Sequence, residues 1–181
     1  MATASAAQPA FSPEFAATFR DLLVASLREE SQITARVLSS IPEVRRDYRP
    51  DPKARTAFEL AWHLASTEVW FLEAIAALSF EKMYGNEKNE TQLRPASIGG
   101  MVKWYDSNLH SAIDAIRKMS PKQLNTPINF FGVYNLPAFH YLLFCKSHTI
   151  HHRGQLAAYL RPMGSKVPNI YGGSADEPMQ M

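Results

Sequence analysis

Three histidines lie close together in the segment Cys145–Leu160, which reads CKSHTIHHRGQLAAYL. Helical residues turn by about 100° each, so His148 and His152 lie on one face, one turn apart, and His151 is rotated away from them. Two imidazoles placed in this way can bind one metal ion, as in proteases that carry H-E-x-x-H. Position 149 is Thr, so the glutamate base of those proteases is absent. The pattern predicts metal binding without that protease chemistry.

A third ligand must come from another helix, and His63 in ELAWHLAS is the candidate. A shared divalent cation would satisfy three imidazoles whose separate burial would each cost desolvation energy. A single histidine on an apolar helix face, however, is more often a hydrogen-bonded core residue. Spacing alone therefore leaves two interpretations, a metal site of His63, His148 and His152 or histidines of the core and surface. Haem ligation is disfavoured, because an i, i+4 pair would crowd one face of a porphyrin.

The other histidines have simpler explanations. His110 lies among polar residues, and we expect it to be exposed to solvent. His140 is rotated by about 80° from His148 on an ideal helix, which favours a structural role. We place His151 outside the site, at the surface or behind the ligands.

Four further residues could support the site. We expect Cys145 to be a small buried hydrophobe and Arg153, about 100° from His152, to pack or pair structurally. Gln155 lies on the same side as His152 and could orient that ligand. Glu59 could orient His63, but the run Thr56–Glu59 is already explained as a capping box at the start of a helix.

Composition limits the remaining possibilities. The chain has 181 residues, of which 46% are hydrophobic and 20% charged, and its net charge of +2 comes from interspersed cations and anions. A one-sided basic stripe is absent, so we expect no nucleic-acid partner. One cysteine allows no internal disulfide. There is no secretory signal pattern and no apolar run of membrane-spanning length, so the sequence predicts a cytoplasmic protein without a membrane partner.

Apolar periodicity predicts four long helices that would carry these residues. Pro13 and Pro42 bound the first, Thr56 caps the second, and Ser97 caps the third. The predicted ranges are Pro13–Ile41, Thr56–Leu78, Ile98–Met119 and Pro137–Leu160. A long polar loop covers residues 82–95, and residues 125–137 form an irregular loop with a small hairpin.

Four amphipathic helices can all bury their apolar faces if they pack together, so we expect an all-α four-helix bundle. We expect one domain over residues 12–181 after a flexible tail of residues 1–11. The long connections between the second and third helices, and between the third and fourth, are able to cross over the bundle, so a simple up-down-up-down order is not required.

Three stretches together resemble the DinB/YfiT-like superfamily of small four-helix metalloenzymes, which is distinct from the polymerase that shares the DinB name. They are RTAFELAWHLAS (55–66), HTIHHRGQLAAYLRPMG (148–164) and VPNIYGGSADE (167–177). In that family one histidine of the second helix and two of the fourth hold a divalent metal, commonly nickel or zinc. The matching positions are His63, His148 and His152.

The resemblance also implies an up-down-down-up bundle, often dimeric. Some relatives use the metal to ionise a low-molecular-weight thiol and others are assigned as hydrolases, so we expect a small-molecule substrate, with a thiol as one candidate. Three nitrogen ligands leave a coordination position open, which is typical of a catalytic metal. A non-catalytic, dimeric metal-binding bundle is the alternative.

Overall fold

The computed structural model describes residues 11–81 and 93–179 and shows a helical bundle with a small hairpin. The elements are α1 (Pro13–Ser39), a short 3-10 helix (Glu43–Arg45), α2 (Ala57–Ala76), α3 (Ile98–Arg117), α4 (Pro121–Leu124), β1 (Pro127–Phe130), β2 (Tyr134–Pro137) and α5 (Ala138–Leu160). The four long helices begin and end within a few residues of the predicted bounds, which confirms the all-α bundle.

Local chemistry fixes the helix starts. Ser12 accepts a hydrogen bond from the backbone N–H of Phe15, and Pro13 occupies the first helical position. At the start of α2, Glu59 N–H donates to the Thr56 hydroxyl and Thr56 N–H donates to the Glu59 carboxylate. Backbone donors that helix geometry leaves without partners are thereby satisfied. The predicted capping box is confirmed.

The bundle places α3 between α1 and α2 on one side and α5 between them on the other. An Arg20 N–H near the start of α1 donates to the backbone oxygen of Met119, just after α3, at 2.7 Å. These two helices are therefore antiparallel. The Arg94 guanidinium, just before α3, lies over the ring of Phe58 at the start of α2. α2 and α3 consequently run in the same direction.

Aromatic contacts fix the direction of α5. Phe19 near the start of α1 contacts Phe139 near the start of α5, with ring centroids 5.7 Å apart. Phe71 in the second half of α2 stacks on Phe144 in the first third of α5 at 5.4 Å. α5 is therefore parallel to α1 and antiparallel to α2. The order is up, down, down, up, as the family resemblance implied.

The segment before α5 forms the expected hairpin. β1 and β2 pair antiparallel, with Ile128 opposite Leu136. Phe131 and Gly132 have positive φ angles of 50° and 75° in the connecting turn, and only glycine adopts such a conformation without steric cost. Ile128 is buried, so the hairpin is attached to the core.

Two predictions fall largely outside the described residues. Of the expected tail only Phe11 is described, and its ring stacks on Phe15 with centroids 4.6 Å apart. Most of the predicted 82–95 loop also lies outside them. Within residues 11–81 and 93–179, no helix combines the length and the apolar character needed to cross a membrane.

Candidate metal centre

The predicted ligands meet at the seam between α2 and α5. His63 projects from α2, and His148 and His152 project from α5, all three half-buried. One nitrogen from each ring lies within 4.8 Å of the other two. The Nε2 atoms of His63 and His152 are 3.2 Å apart. Because α2 and α5 are antiparallel, the early His63 and the late His152 lie at the same level of the bundle.

These distances fit a shared ion. Zinc binds imidazole nitrogen at about 2.0–2.1 Å, and two such ligands at a tetrahedral angle lie about 3.4 Å apart. The separation of the His63 and His152 Nε2 atoms is close to this value. The ring centroids lie 4.6 Å apart for His63–His152, 4.4 Å for His148–His152 and 5.2 Å for His63–His148. The three residues can therefore hold one divalent transition metal.

Burial keeps the imidazoles neutral. Desolvation lowers the pKa of His63 to about 3, helped by the Arg55 guanidinium and the two other imidazoles. Desolvation, with His152, His151 and Arg55, lowers the pKa of His148 to about 4. The pKa of His152 is also lowered, mainly by burial. Metal ligation needs unprotonated nitrogen, so the site is prepared for a cation at neutral pH.

Two polar side chains orient the rings from behind. The Nδ1 of His152 is 2.7 Å from the Gln155 amide oxygen, which can only accept, so Nδ1 carries the proton. Thr67 Oγ1 lies 3.3 Å from His63 Nδ1. A proton on Nδ1 leaves the lone pair on Nε2, the atom that faces the other rings. The orienting role expected for Gln155 is supported by this contact, whereas Thr67 was missed although it follows His63 by one helical turn.

Arg153 faces away from this site, as its helical position predicted. Its guanidinium forms an ion pair with Glu30 of α1 at 2.7 Å and donates to the Thr34 hydroxyl at 3.3 Å. It also donates to the Tyr171 hydroxyl, which in turn donates to the Glu30 carboxylate at 2.9 Å. Arg153 is only 1% exposed. The structural role is confirmed.

The remaining sequence candidates lie outside the cluster. Cys145 is buried, with its thiol 3.8 Å from the backbone oxygen of Glu68, so it acts as a core residue. His110 and His151 are exposed, as expected. His140 is half-buried against the ring of Phe139, which agrees with a structural role.

A buried acid close to the α2–α5 seam was missed. Glu68 is only 1% exposed, and Tyr105 donates a hydrogen bond to its Oε2 at 2.7 Å. Burial raises the pKa of Glu68 to about 7. The available signal was an acid inside the apolar stretch 64–72, where a charged side chain has no route to solvent.

A separate cavity of about 300 Å³ lies between the hairpin and the first half of α5. Aromatic and aliphatic side chains dominate its wall, including Phe71, Phe130 and Phe144. None of the three clustered histidines lines it.

Comparison with solved structures agrees with this architecture. A crystal structure of a DinB-like protein, YjoA, from Bacillus subtilis is 21% identical, with a TM-score of 0.67 over 81% of this chain and 96% of that one. A DinB-like protein from Bacillus cereus ATCC 10987 is 23% identical, with a TM-score of 0.68 over 82% and 95%. A mycothiol-dependent maleylpyruvate isomerase is 12% identical, with a TM-score of 0.50 over 87% of this chain and 65% of that one. These likenesses concern the fold.

Sequence comparison extends the match to nearly the whole chain. The uncharacterised protein YrdA of Bacillus subtilis (strain 168) is 25% identical over 158 residues, which are 87% of this chain and 90% of YrdA. The model of the DinB family matches residues 15–180, a range that contains all three clustered histidines. This chain belongs to the DinB family.

Proposed function

We propose that this protein is a metal-dependent enzyme in which His63, His148 and His152 hold a divalent transition metal, nickel or zinc. The observation that carries the proposal is the convergence of three neutral imidazoles on one point. Imidazole suits both ions. When bound by three protein nitrogens, such an ion keeps at least one coordination position open, where it acidifies water or ionises a thiol.

The residues around the site favour such a role. Gln155 and Thr67 hold the rings of His152 and His63 with Nε2 directed at the common point. Partial burial of the rings reduces competition from protons, and their remaining exposure allows a small molecule to reach them. A structural metal, by contrast, is normally closed by a fourth protein ligand.

The substrate is a small molecule, and we propose either a thiol S-transferase or a hydrolase. A low-molecular-weight thiol has a precedent on this fold, because one structural neighbour is named as a mycothiol-dependent isomerase. The two reaction types differ in whether a thiol or a water molecule attacks the substrate. We further propose a homodimer and a cytoplasmic location, both of which follow from the sequence and its resemblance.

A non-catalytic, dimeric metal-binding bundle is the alternative. Thr149 stands where H-E-x-x-H proteases have their glutamate, so the base of that motif is missing. A site that only stores or senses an ion would need the three ligands and no such base.

Two measurements separate these functions. Elemental analysis of protein purified without an affinity tag should find one divalent ion per chain in the wild type and much less in His152→Ala. A panel of thiols with electrophilic acceptors, and of esters and amides, is then tested with metal-loaded wild type and His152→Ala. Turnover that requires His152 supports the enzyme; binding of the ion without turnover of any panel member favours the binding bundle.

A further inference from the structure

The charges around the three-histidine cluster are unbalanced. Arg55 precedes the N-cap of α2, and its positive charge lowers the pKa of His63, His148 and His152 alike. Among residues 11–81 and 93–179, no carboxylate forms an ion pair with any of the three imidazoles. A divalent ion held by neutral ligands would therefore stand beside a further cation, and the two repel each other.

Arg55 is also available for binding. Its side chain is exposed, and it has no hydrogen bond or ion pair with the described residues, whereas nearby Arg46 and Arg49 are paired with Glu43 and Glu59. Glu59 is engaged in the capping box.

Two tyrosines lie at the same end of the seam as Arg55. Tyr159 follows His152 by seven residues, so it lies on nearly the same face of α5 about 10 Å further along the axis. Its ring contacts Tyr48 edge to face, with centroids 5.8 Å apart. The charge of Arg55 also acts on Tyr159. Neither tyrosine hydroxyl has a hydrogen-bond partner in the described part of the chain.

The connection that carries Tyr48 and Arg55 folds back onto the start of α2 through two backbone hydrogen bonds. Ala57 N–H donates to the backbone oxygen of Tyr48 at 2.8 Å, and Phe58 N–H donates to that of Arg46 at 2.9 Å. These bonds tie the connection to the start of α2. One guanidinium and two hydroxyls are thereby held at the end of the seam that leads to His152.

We propose that Arg55, with the hydroxyls of Tyr48 and Tyr159, binds a carboxylate of the small molecule that reacts at the three-histidine site. The inference rests on the proposed function, because it assigns a substrate class to the same site. A guanidinium pairs with a carboxylate through two parallel hydrogen bonds, and hydroxyls supply further donors. One cation balances one negative charge, which favours a carboxylate over a phosphate dianion. The other end of the ligand reaches the histidines along the seam.

The first test uses metal-free protein and reads Arg55 directly. Glutarate is titrated into the full chain while proton–nitrogen NMR follows the Arg55 Nε–H signal, with glutaramide as the uncharged match and phosphate as a second anion. We expect a saturable shift of this signal with glutarate that glutaramide does not cause. An Arg55 signal that responds equally to both compounds, or only to phosphate, would overturn the proposal.

The second test uses protein loaded with cobalt(II), whose absorption reports ligands at the site. Affinities are compared for ω-mercaptocarboxylates from mercaptoacetate to mercaptohexanoate, each against its uncharged amide. We expect at least one acid to bind about tenfold tighter than its amide, as a charged hydrogen bond provides. This preference should disappear in Arg55→Gln, weaken in Tyr159→Phe and persist in Arg45→Gln, which removes an exposed arginine of the same connection.

The outcomes separate this inference from the proposed function. If cobalt(II) does not bind to the wild type, the metal site fails, and the metal-free titration still decides whether Arg55 binds carboxylates. If cobalt(II) binds and acids and amides have equal affinity in the wild type, the carboxylate site is wrong while the metal site stands. A preference that survives in Arg55→Gln would also overturn it, because another group would then hold the carboxylate.

Discussion

His152 and Arg153 are neighbours in the sequence, yet they belong to polar clusters of opposite character. Arg153 points toward α1, where its guanidinium bonds Glu30 and Thr34; it also donates to Tyr171, beyond the end of α5, and it is almost fully buried. His152 points toward α2, where its Nε2 faces the Nε2 of His63 at 3.2 Å. One side of α5 carries a closed polar cluster, and the adjacent side carries an open one.

The difference lies in how the lone pairs and protons match. In the closed cluster both terminal nitrogens of Arg153 meet acceptors of the same chain, so the cluster is held together by its own residues. In the open cluster Gln155 accepts from Nδ1 of His152, so the Nε2 lone pair of that ring faces the His63 ring, and Thr67 contacts His63 Nδ1. Three imidazole nitrogens within 4.8 Å of one another can accept a shared cation, which the closed cluster has no room or need for. Internal pairing therefore separates a structural polar cluster from a ligand site.

The largest effect is expected from breaking the closed cluster. Arg153→Met removes the guanidinium 2.7 Å from the buried Glu30 carboxylate and leaves Lys146 Nζ, at 4.0 Å, as its nearby cation, which should cost about 3 kcal/mol in the free energy of unfolding. Urea unfolding of metal-free protein measures this loss. The double variant Glu30→Gln with Arg153→Met should recover part of it, because the buried carboxylate is then uncharged. A loss below about 1 kcal/mol in the single variant, typical of surface ion pairs, would contradict the assignment.

The open cluster should respond in the opposite way. His152→Ala removes one of three ligands and should weaken zinc binding by at least about 100-fold, since changes behind a ligand already cost about 10–100-fold. Its metal-free stability should stay within about 0.5 kcal/mol of the wild type, as for other substitutions of partly exposed residues. Competition titration with a zinc chelator and urea unfolding measure the two effects. His151→Ala is the matched control and should retain the wild-type affinity; equal weakening in both variants would contradict a specific three-histidine site.

The sequence predicted the open cluster better than the closed one. Helical periodicity places His148 and His152 on one face, and the apolar surroundings of His63 mark it as unusual, while the choice of a metal site over core histidines came from the family resemblance. The closed cluster joins Glu30, Arg153 and Tyr171, which are far apart in the chain. Local patterns showed that Arg153 faces away from the histidines, but its partners depend on how α1 and α5 pack.

Glu68 shows the same limit. An acid within an apolar helix signals an unusual residue, but its partner Tyr105 lies on α3, 37 positions along the chain. Arg55 likewise appeared in the sequence only as the first residue of the stretch RTAFELAWHLAS, with no role of its own. Its position beside the histidines depends on the backbone bonds that tie residues 46 and 48 to the start of α2.

A smaller effect, on the pH dependence of the free energy of unfolding, is expected from Glu68. This residue is buried, as the closed cluster is, and burial shifts its pKa, as it does for the histidines of the open cluster. Its pKa is raised from 4.5 to about 7 by burial, so between these values the folded state holds a proton that the unfolded state has lost. The contribution of Glu68 to the free energy of unfolding is therefore at its full value below about pH 4.5. It falls by about 2–3 kcal/mol as the pH rises toward about 7. Glu68→Gln remains uncharged and can still accept from Tyr105, so it should lack this loss.

Urea unfolding at several pH values checks the prediction through the difference between wild type and Glu68→Gln. The lowered pKa values of His63, His148 and His152 also make stability depend on pH, but these residues are common to both proteins and their effect largely cancels in the difference. Glu73→Gln, on the same helix, is the control, because the Glu73 side chain is more exposed and its pKa is raised by burial to a lesser degree. A difference that does not change with pH would mean that Glu68 is ionised in the folded protein.

The smallest effect, on zinc affinity, concerns Gln155 and tests whether this residue belongs to the open cluster. Gln155 is exposed, and its described side-chain bond is the one at 2.7 Å to His152 Nδ1, so it belongs to the open cluster through its contact with the ring. Gln155→Ala should weaken zinc binding by about 10-fold, because the ring loses the acceptor that fixes its proton on Nδ1. Folding stability should change little, since the residue is at the surface. Gln155→Glu also accepts from Nδ1 and adds a negative charge near the ion, so it should bind zinc at least as tightly as the wild type. If both variants weaken binding equally, Gln155 does not act by accepting this proton, and the open cluster ends at the three histidines.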